Sequence, residues 1–224
     1  MAGTTTPPDI ELIIEDIGGG GGGKPPAGGG GDDNSDERKR RRSYPPSPQR
    51  YYTGIALAIV SILMFFMALA SAFLVRRGTN GDWVPVHLPG VLWVNTAILL
   101  ASSFTLELAR RRLSQANLRA FRTMWAVTTG LGLLFLAGQL LAWRQLVAEG
   151  VFIASNPGSS FFYILTGAHA VHLFGGIGAL LFVALRKFEK AKVSLSTAAE
   201  ITSHYWHFMD ALWVFLLALL YLGK

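Results

Sequence analysis

Two clusters of ionisable residues lie inside long apolar runs of this 224-residue sequence. His169 and His172 stand three apart in Thr166-Gly167-Ala168-His169-Ala170-Val171-His172. Glu200, His204, His207 and Asp210 follow at steps of four, three and three. On a helix, such steps place the members of each set on one face. Three kinds of chemistry use residues of these types in this pattern. Imidazole and carboxylate can hold a metal, pass a proton, or hydrogen-bond one helix to another.

Metal ligation is the most demanding of the three. Di-iron helical bundles need Glu-x-x-His pairs with additional glutamates. Here Glu200 is four residues before His204, no second such pair exists, and the run containing His169 has no carboxylate. Membrane desaturase-type sites need more histidines than the four in these runs. Haem ligation by His169 or His204 stays formally open, but the expected count of metal sites is none. A proton relay should run most of the way across a membrane. Glu200 and Asp210 are only about 15 Å apart along a helix axis at about 1.5 Å per residue. The reading that asks least of the residues is a polar seam, with His169, His172, Glu200, His204, His207 and Asp210 bonding helix to helix. No catalytic residue is expected. The motifs GxSxG, HExxH and the phosphate-binding P-loop are absent.

The elements that carry these clusters read as membrane helices. Apolar residues make up 51% of the sequence and charged residues 15%, against about 25% in ordinary soluble domains. Fifteen of the charges fall within residues 1–50, and most others lie in short gaps between apolar runs. A hydrocarbon core of about 30 Å needs about 20 helical residues. Five segments meet that requirement, giving an all-α bundle with helices over about 53–75, 88–107, 123–143, 161–185 and 201–222. Barrel strands would be shorter and would alternate in polarity.

Residues 1–50 read as a disordered, Gly/Pro-rich and basic tail, and residues 51–224 as the membrane domain. The tail starts without the basic and apolar blocks of a signal peptide. Its run Arg38-Lys39-Arg40-Arg41-Arg42 suits anionic headgroups just before a membrane span better than nucleic acid. Lys and Arg number sixteen in the tail and in loops 107–122 and 186–200, against four on the other side. That bias predicts a cytoplasmic N-terminus and an outer C-terminus. The outer loop 144–160 ends in a turn signal, Asn156-Pro157-Gly158. Gly130, Gly132 and Gly138 in the third run and Gly175, Gly176 and Gly178 in the fourth predict close helix packing. Gly175-Gly176 is also a candidate helix break, as a transporter would require. With no cysteine, neither disulfides nor thiolate metal sites are available.

At the polar clusters the sequence resembles a known family. Tyr205-Trp206-His207-Phe208-Met209-Asp210, followed by Trp213 and preceded by Glu200, resembles the C-terminal signature of subunit III of the haem-copper oxidases. Phe161-Phe162-Tyr163 with Thr166, Gly167, His169 and His172 resembles its second signature. Trp83 and Pro85, Leu88-Pro89, Asn95-Thr96, Ser102-Ser103 and Gln139 follow in the family's order. The resemblance covers about residues 52–222 and is to the five-helix form, which lacks the first two helices of larger members. A buried glutamate of those larger members corresponds to Ile62 here and a second glutamate to Ala142, so roles ascribed to them do not carry over.

The resemblance implies a non-catalytic accessory subunit of a proton-pumping cytochrome c oxidase in aerobic respiration. Its main contact would be subunit I, with haem and copper held in partner subunits. It would bind phospholipid, with Arg186 matching a lipid-site arginine, and sustain proton uptake and stability. The setting would be a bacterial-type plasma membrane, with cytochrome c as electron donor to the complex and a respiratory supercomplex as a further assembly. Three alternatives remain: an accessory subunit of a quinol oxidase or nitric oxide reductase system, a stand-alone membrane metalloenzyme using the histidines, and a transporter.

Overall fold

The computed structural model describes residues 48–79, 83, 88–185 and 194–223. Residues 1–47 of the expected tail, Pro85, His87 and Arg186 lie outside the described residues, while residues 48–50, expected to close the disordered tail, are the first residues of a helix. Five helices follow one another: α1 (Pro48–Thr79), α2 (Val91–Ser114), α3 (Leu118–Ala148), α4 (Pro157–Leu185) and α5 (Leu195–Leu222). All five are long and apolar enough to cross a membrane, and no strand occurs among the described residues.

The helices outrun the apolar segments that announce them. α1 has 32 residues and α3 has 31. At about 1.5 Å per residue each exceeds the roughly 30 Å hydrocarbon core by several turns. The surplus is polar: Arg76 and Arg77 end α1, Arg110–Arg112 sit near the end of α2, and Arg119 and Arg122 begin α3. A helix continues into the headgroup region because its backbone bonds are satisfied internally whatever the solvent. The start of α2 moves the other way. Leu88-Pro89-Gly90 forms a turn, with Leu92 N–H donating to the Pro89 carbonyl at 3.1 Å, and the helix begins at Val91.

The short connections are closed by local chemistry. After α2, Ala116 N–H donates to Leu113 O and Asn117 N–H to Arg112 O, each at 3.0 Å. That is the Schellman pattern, and it forces Ala116 into the left-handed region at φ 57°. Asn117 then caps α3 by accepting from Ala120 N–H at 3.1 Å. After α3 the same motif recurs with Gly150 at φ 78°. Asn156-Pro157-Gly158, expected to end a loop, begins α4. Asn156 Oδ1 accepts from Ser159 N–H at 2.9 Å, and Ser159 Oγ accepts from Asn156 N–H at 3.2 Å. This reciprocal capping box, with Pro157 at the first helical position, satisfies donors that the first turn would otherwise orphan. Ser194 caps α5 by accepting from Thr197 N–H at 3.1 Å.

α5 is the central helix. Half of its most apolar window is buried, against 17% in α1, and it packs on α1, α2 and α4. α3 pairs closely with α2 and also touches α4, while α1 rests on α4 and α5. The core is aromatic: Trp125, Trp206, Trp213, Phe66, Phe73, Phe135 and Phe162 are fully buried. Glycines make room for it. A methyl group on Gly132 would lie 2.6 Å from the Trp206 ring, and one on Gly176 would lie 3.2 Å from both Trp206 and Tyr205. Gly138 receives the Asn95 side chain. Gly130 and Gly178 face open space instead. α4 runs unbroken through Gly175-Gly176, so the expected candidate break is continuous helix.

Candidate functional site

An indole N–H in a bilayer has no water to donate to, so it must find an acceptor within the protein. That requirement organises the interior. α2 runs antiparallel to α5, and two tryptophans of α5 reach across to it. Trp213 Nε1 donates to Thr96 Oγ1 and Trp206 Nε1 to Ser102 Oγ, each at 3.0 Å. Trp143 Nε1 ties α3 to Thr166 of α4 at 3.1 Å, with its ring over Gly167. Trp125 Nε1 ties α3 to the Leu180 carbonyl at 2.9 Å. Trp83 Nε1, in the α1–α2 connection, donates to the Gly223 carbonyl at 3.1 Å. Phenols work in the same way. Tyr205 Oη donates to the His172 carbonyl at 2.9 Å, and Tyr52 Oη to Glu200 Oε2 at 2.7 Å.

The six ionisable residues singled out by spacing are distributed across this framework. His207 is half-buried and bonds across helices, its Nδ1 lying 2.5 Å from Ser103 Oγ of α2. Glu200 bonds across helices through Tyr52. His172 and His204 turn back on their own helices, with Nδ1 at 2.7 Å from Ala168 O and 2.8 Å from Glu200 O. His204 is exposed. His204 and Asp210 are six residues apart, which separates them by about 120° around the helix at about 100° per residue. One edge of that stripe therefore points outward and the other inward.

Asp210 and His169 are buried; His169 has no hydrogen-bond partner among the described residues, and Asp210 has Ser103 beside its carboxyl but outside full hydrogen-bond geometry. His169 lies instead against aromatic rings, 5.1 Å from Trp213 and 6.1 Å from Phe135 between centroids. Gln139 of α3 is likewise buried without a partner, as is Asn95 at its amide nitrogen. Among the described residues, no group of three or more His, Asp or Glu is placed to hold a metal ion. The helices thus bring the signature residues into pairwise contact across neighbouring helices instead of gathering them around one point.

The chemistry of this arrangement is that of an assembly, and comparison with known proteins agrees. The family described as cytochrome c oxidase subunit III matches residues 48–223. The chain belongs to the cytochrome c oxidase subunit III family. It is 37% identical over 180 residues to the "Probable cytochrome c oxidase subunit 3" of Nocardia farcinica, covering 78% of this chain and 88% of that protein. It is 33% identical over 185 residues to the subunit 3 of Corynebacterium diphtheriae, with the same coverage. With the subunit 3 of Thermostichus vulcanus it shares 30% over 174 residues, covering 75% and 85%.

Membership makes this chain an accessory subunit of a haem-copper oxidase of the respiratory chain. Subunit III is not the metal-binding subunit of that oxidase. Of the residues on which the resemblance was read, Trp83, Thr96, Thr166, Tyr205, Trp206, His207 and Trp213 all make contacts that join chain segments distant in sequence. Spacing arguments passed over Tyr52, Trp125 and Trp143, which perform the same task. A tryptophan or tyrosine within an apolar run was the available signal, because its polar tip needs an acceptor.

Proposed function

We propose that this chain is the accessory subunit of an oxygen-reducing, proton-pumping oxidase that takes electrons from cytochrome c. It packs on the catalytic subunit I, which with other partner subunits carries the haem and copper. It sits in a bacterial plasma membrane with its N-terminus on the cytoplasmic side. The observation that carries this reading is the family match across residues 48–223, which spans every described residue. The names of the similar proteins favour cytochrome c over quinol as donor. The Lys and Arg asymmetry supports the orientation. Resemblance to the family supports bound phospholipid, with Arg186 as one contact, and a part in sustaining proton uptake. The interhelical bonds of Glu200 and His207 support a structural role for the polar residues.

The test is purification of a tagged copy in mild detergent, with optical spectra, metal analysis and mass spectrometry of what accompanies it. Haem and copper should arrive with a large partner subunit and leave with it. Metal remaining on the stripped chain would overturn the reading. The same preparation checks a mutational prediction. His207→Ala, which removes the bond to Ser103, should lower the yield of intact complex several-fold, or shorten its activity lifetime. The haem spectrum of what assembles should be unchanged. An altered haem spectrum would assign His207 a role at the metal centre instead.

A further inference from the structure

Three buried polar side chains meet unpaired where α2, α3, α4 and α5 come together. Among the described residues, Gln139 of α3 has no partner at either end of its amide, and His169 of α4 has none at either ring nitrogen. Asn95 of α2 has none at its amide nitrogen. Their relative exposures are 1%, 0% and 2%. Buried polar groups of folded proteins are paired in the large majority, with protein or with ordered water.

The contacts around them fix their common level. Phe135 and Trp143 stand four residues before and after Gln139, on the same face of α3. The Phe135 ring lies 6.1 Å from that of His169, and Trp143 Nε1 donates to Thr166 at 3.1 Å. Gln139 therefore stands opposite the one turn of α4 that runs from Thr166 to His169. α2 closes the other side. A methyl group on Gly138 would lie 2.7 Å from Asn95 Cγ and 2.8 Å from its Nδ2, so Asn95 rests on the α3 backbone beside Gln139. The next residue of α2, Thr96, accepts from Trp213, whose ring lies 5.1 Å from that of His169. Contacts thus run from α2 to α5, α4, α3 and back to α2, around the three unpaired groups. His169 is near the middle of the 29-residue α4, where no bulk water reaches a spanning helix.

The chemistry of the three groups selects what they can hold. Together they offer amide N–H donors, one amide carbonyl, and an imidazole with one donor and one acceptor nitrogen. A cation would meet N–H groups and no carboxylate. An anion would meet a carbonyl and no positive charge. Water donates and accepts, and a buried water makes about three hydrogen bonds. We propose that one ordered internal water is bound here and joins α2, α3 and α4. It accepts from Asn95 Nδ2 and donates to Gln139 Oε1 and to the unprotonated nitrogen of His169. This deepens the structural role proposed above for the polar residues, and rests on it: His169 bonds helix to helix through the water.

The test begins with a cryo-electron microscopy map of the intact oxidase, at a resolution that shows ordered water. Density for one water within hydrogen-bond distance of Asn95, Gln139 and His169 is expected. A direct bond from Gln139 to either of the others, or a dry contact, would overturn the proposal. Thermal midpoints of the complex supply a second readout. Gln139→Leu or His169→Phe alone leaves the opposite group without its bridge, and each should lower the midpoint. The two together should give a midpoint above that of the weaker single variant, because one orphaned group costs more than an apolar pair. His169→Phe keeps a ring against Trp213 and Phe135. Losses that simply add would overturn the bridge. Whether haem and copper leave with the partner subunit tests the functional reading separately, and neither result alters the density expected here.

Discussion

At the scale of single residues, the interior is set by where a polar tip can end. Five of the six tryptophans donate a hydrogen bond to a different helix or chain segment, and only Trp93 stands exposed. Trp206 shows the cost of that placement, since its large ring needs Gly132 and Gly176 against it. Gly132→Ala would put a methyl 2.6 Å from the ring, and overpacking of this kind costs about 1–3 kcal/mol. A lower thermal midpoint of the purified complex checks this. Gly130→Ala, two residues away on the same helix, meets nothing within 4 Å and should be neutral or slightly stabilising, by up to about 1 kcal/mol of helix propensity. Equal effects at the two positions would remove the packing explanation. Both glycines are visible in the sequence, but only the helix rotation separates the one under Trp206 from the one in open space.

At the scale of elements, the helix ends carry the specificity. Asn156 caps α4 through its side chain, so Asn156→Ala should cost about 1 kcal/mol, while Asn156→Asp should retain most of it. Faster amide exchange confined to the first turns of α4 would show it. The α2–α3 connection holds a different balance. Ala116 adopts φ 57°, a conformation costing an L residue about 1–2 kcal/mol. Ala116→Gly should therefore stabilise the hairpin by about 1 kcal/mol, since glycine takes the left-handed region freely. A midpoint in detergent denaturation that fails to rise would mean the turn is not under strain. Gly150 already occupies the equivalent position after α3. Existence and order of the five helices were legible from apolar run length, because the bilayer sets a minimum span. Their ends were not, because a helix stops where its caps are satisfied, which need not be where the hydrocarbon ends.

At the scale of the whole molecule, the helices divide into a buried centre and an exposed flank. α5 is the most enclosed and α1 the least, with Leu57, Met64, Val75 and other large apolar side chains of α1 exposed. A soluble protein would aggregate through such a face, whereas a membrane subunit presents it to lipid or to neighbouring subunits. The sequence contains no cysteine, which permits a direct check of orientation. A single Ser155→Cys in the α3–α4 connection should react with a membrane-impermeant maleimide on intact cells. Gln115→Cys in the α2–α3 connection should react only after the membrane is opened. The reverse pattern would invert the proposed topology.

Run length alone determined that this chain is five membrane helices, because few other structures can satisfy a backbone across that much hydrocarbon. The signature residues likewise determined the family, since Tyr205-Trp206-His207 with Asp210 and Trp213 can be read without coordinates. Tertiary structure decided which of the polar residues work between helices. Equal spacing placed His204 and Asp210 on one stripe, yet His204 faces outward and Asp210 is buried. It also decided that Tyr52 meets Glu200 across 148 positions, and that Arg110, Arg111 and Glu200 share one cavity. Spacing specifies angles around one helix axis. Which direction is inward depends on how the helices pack, and that is set by the fit of tryptophan rings against glycines on neighbouring helices.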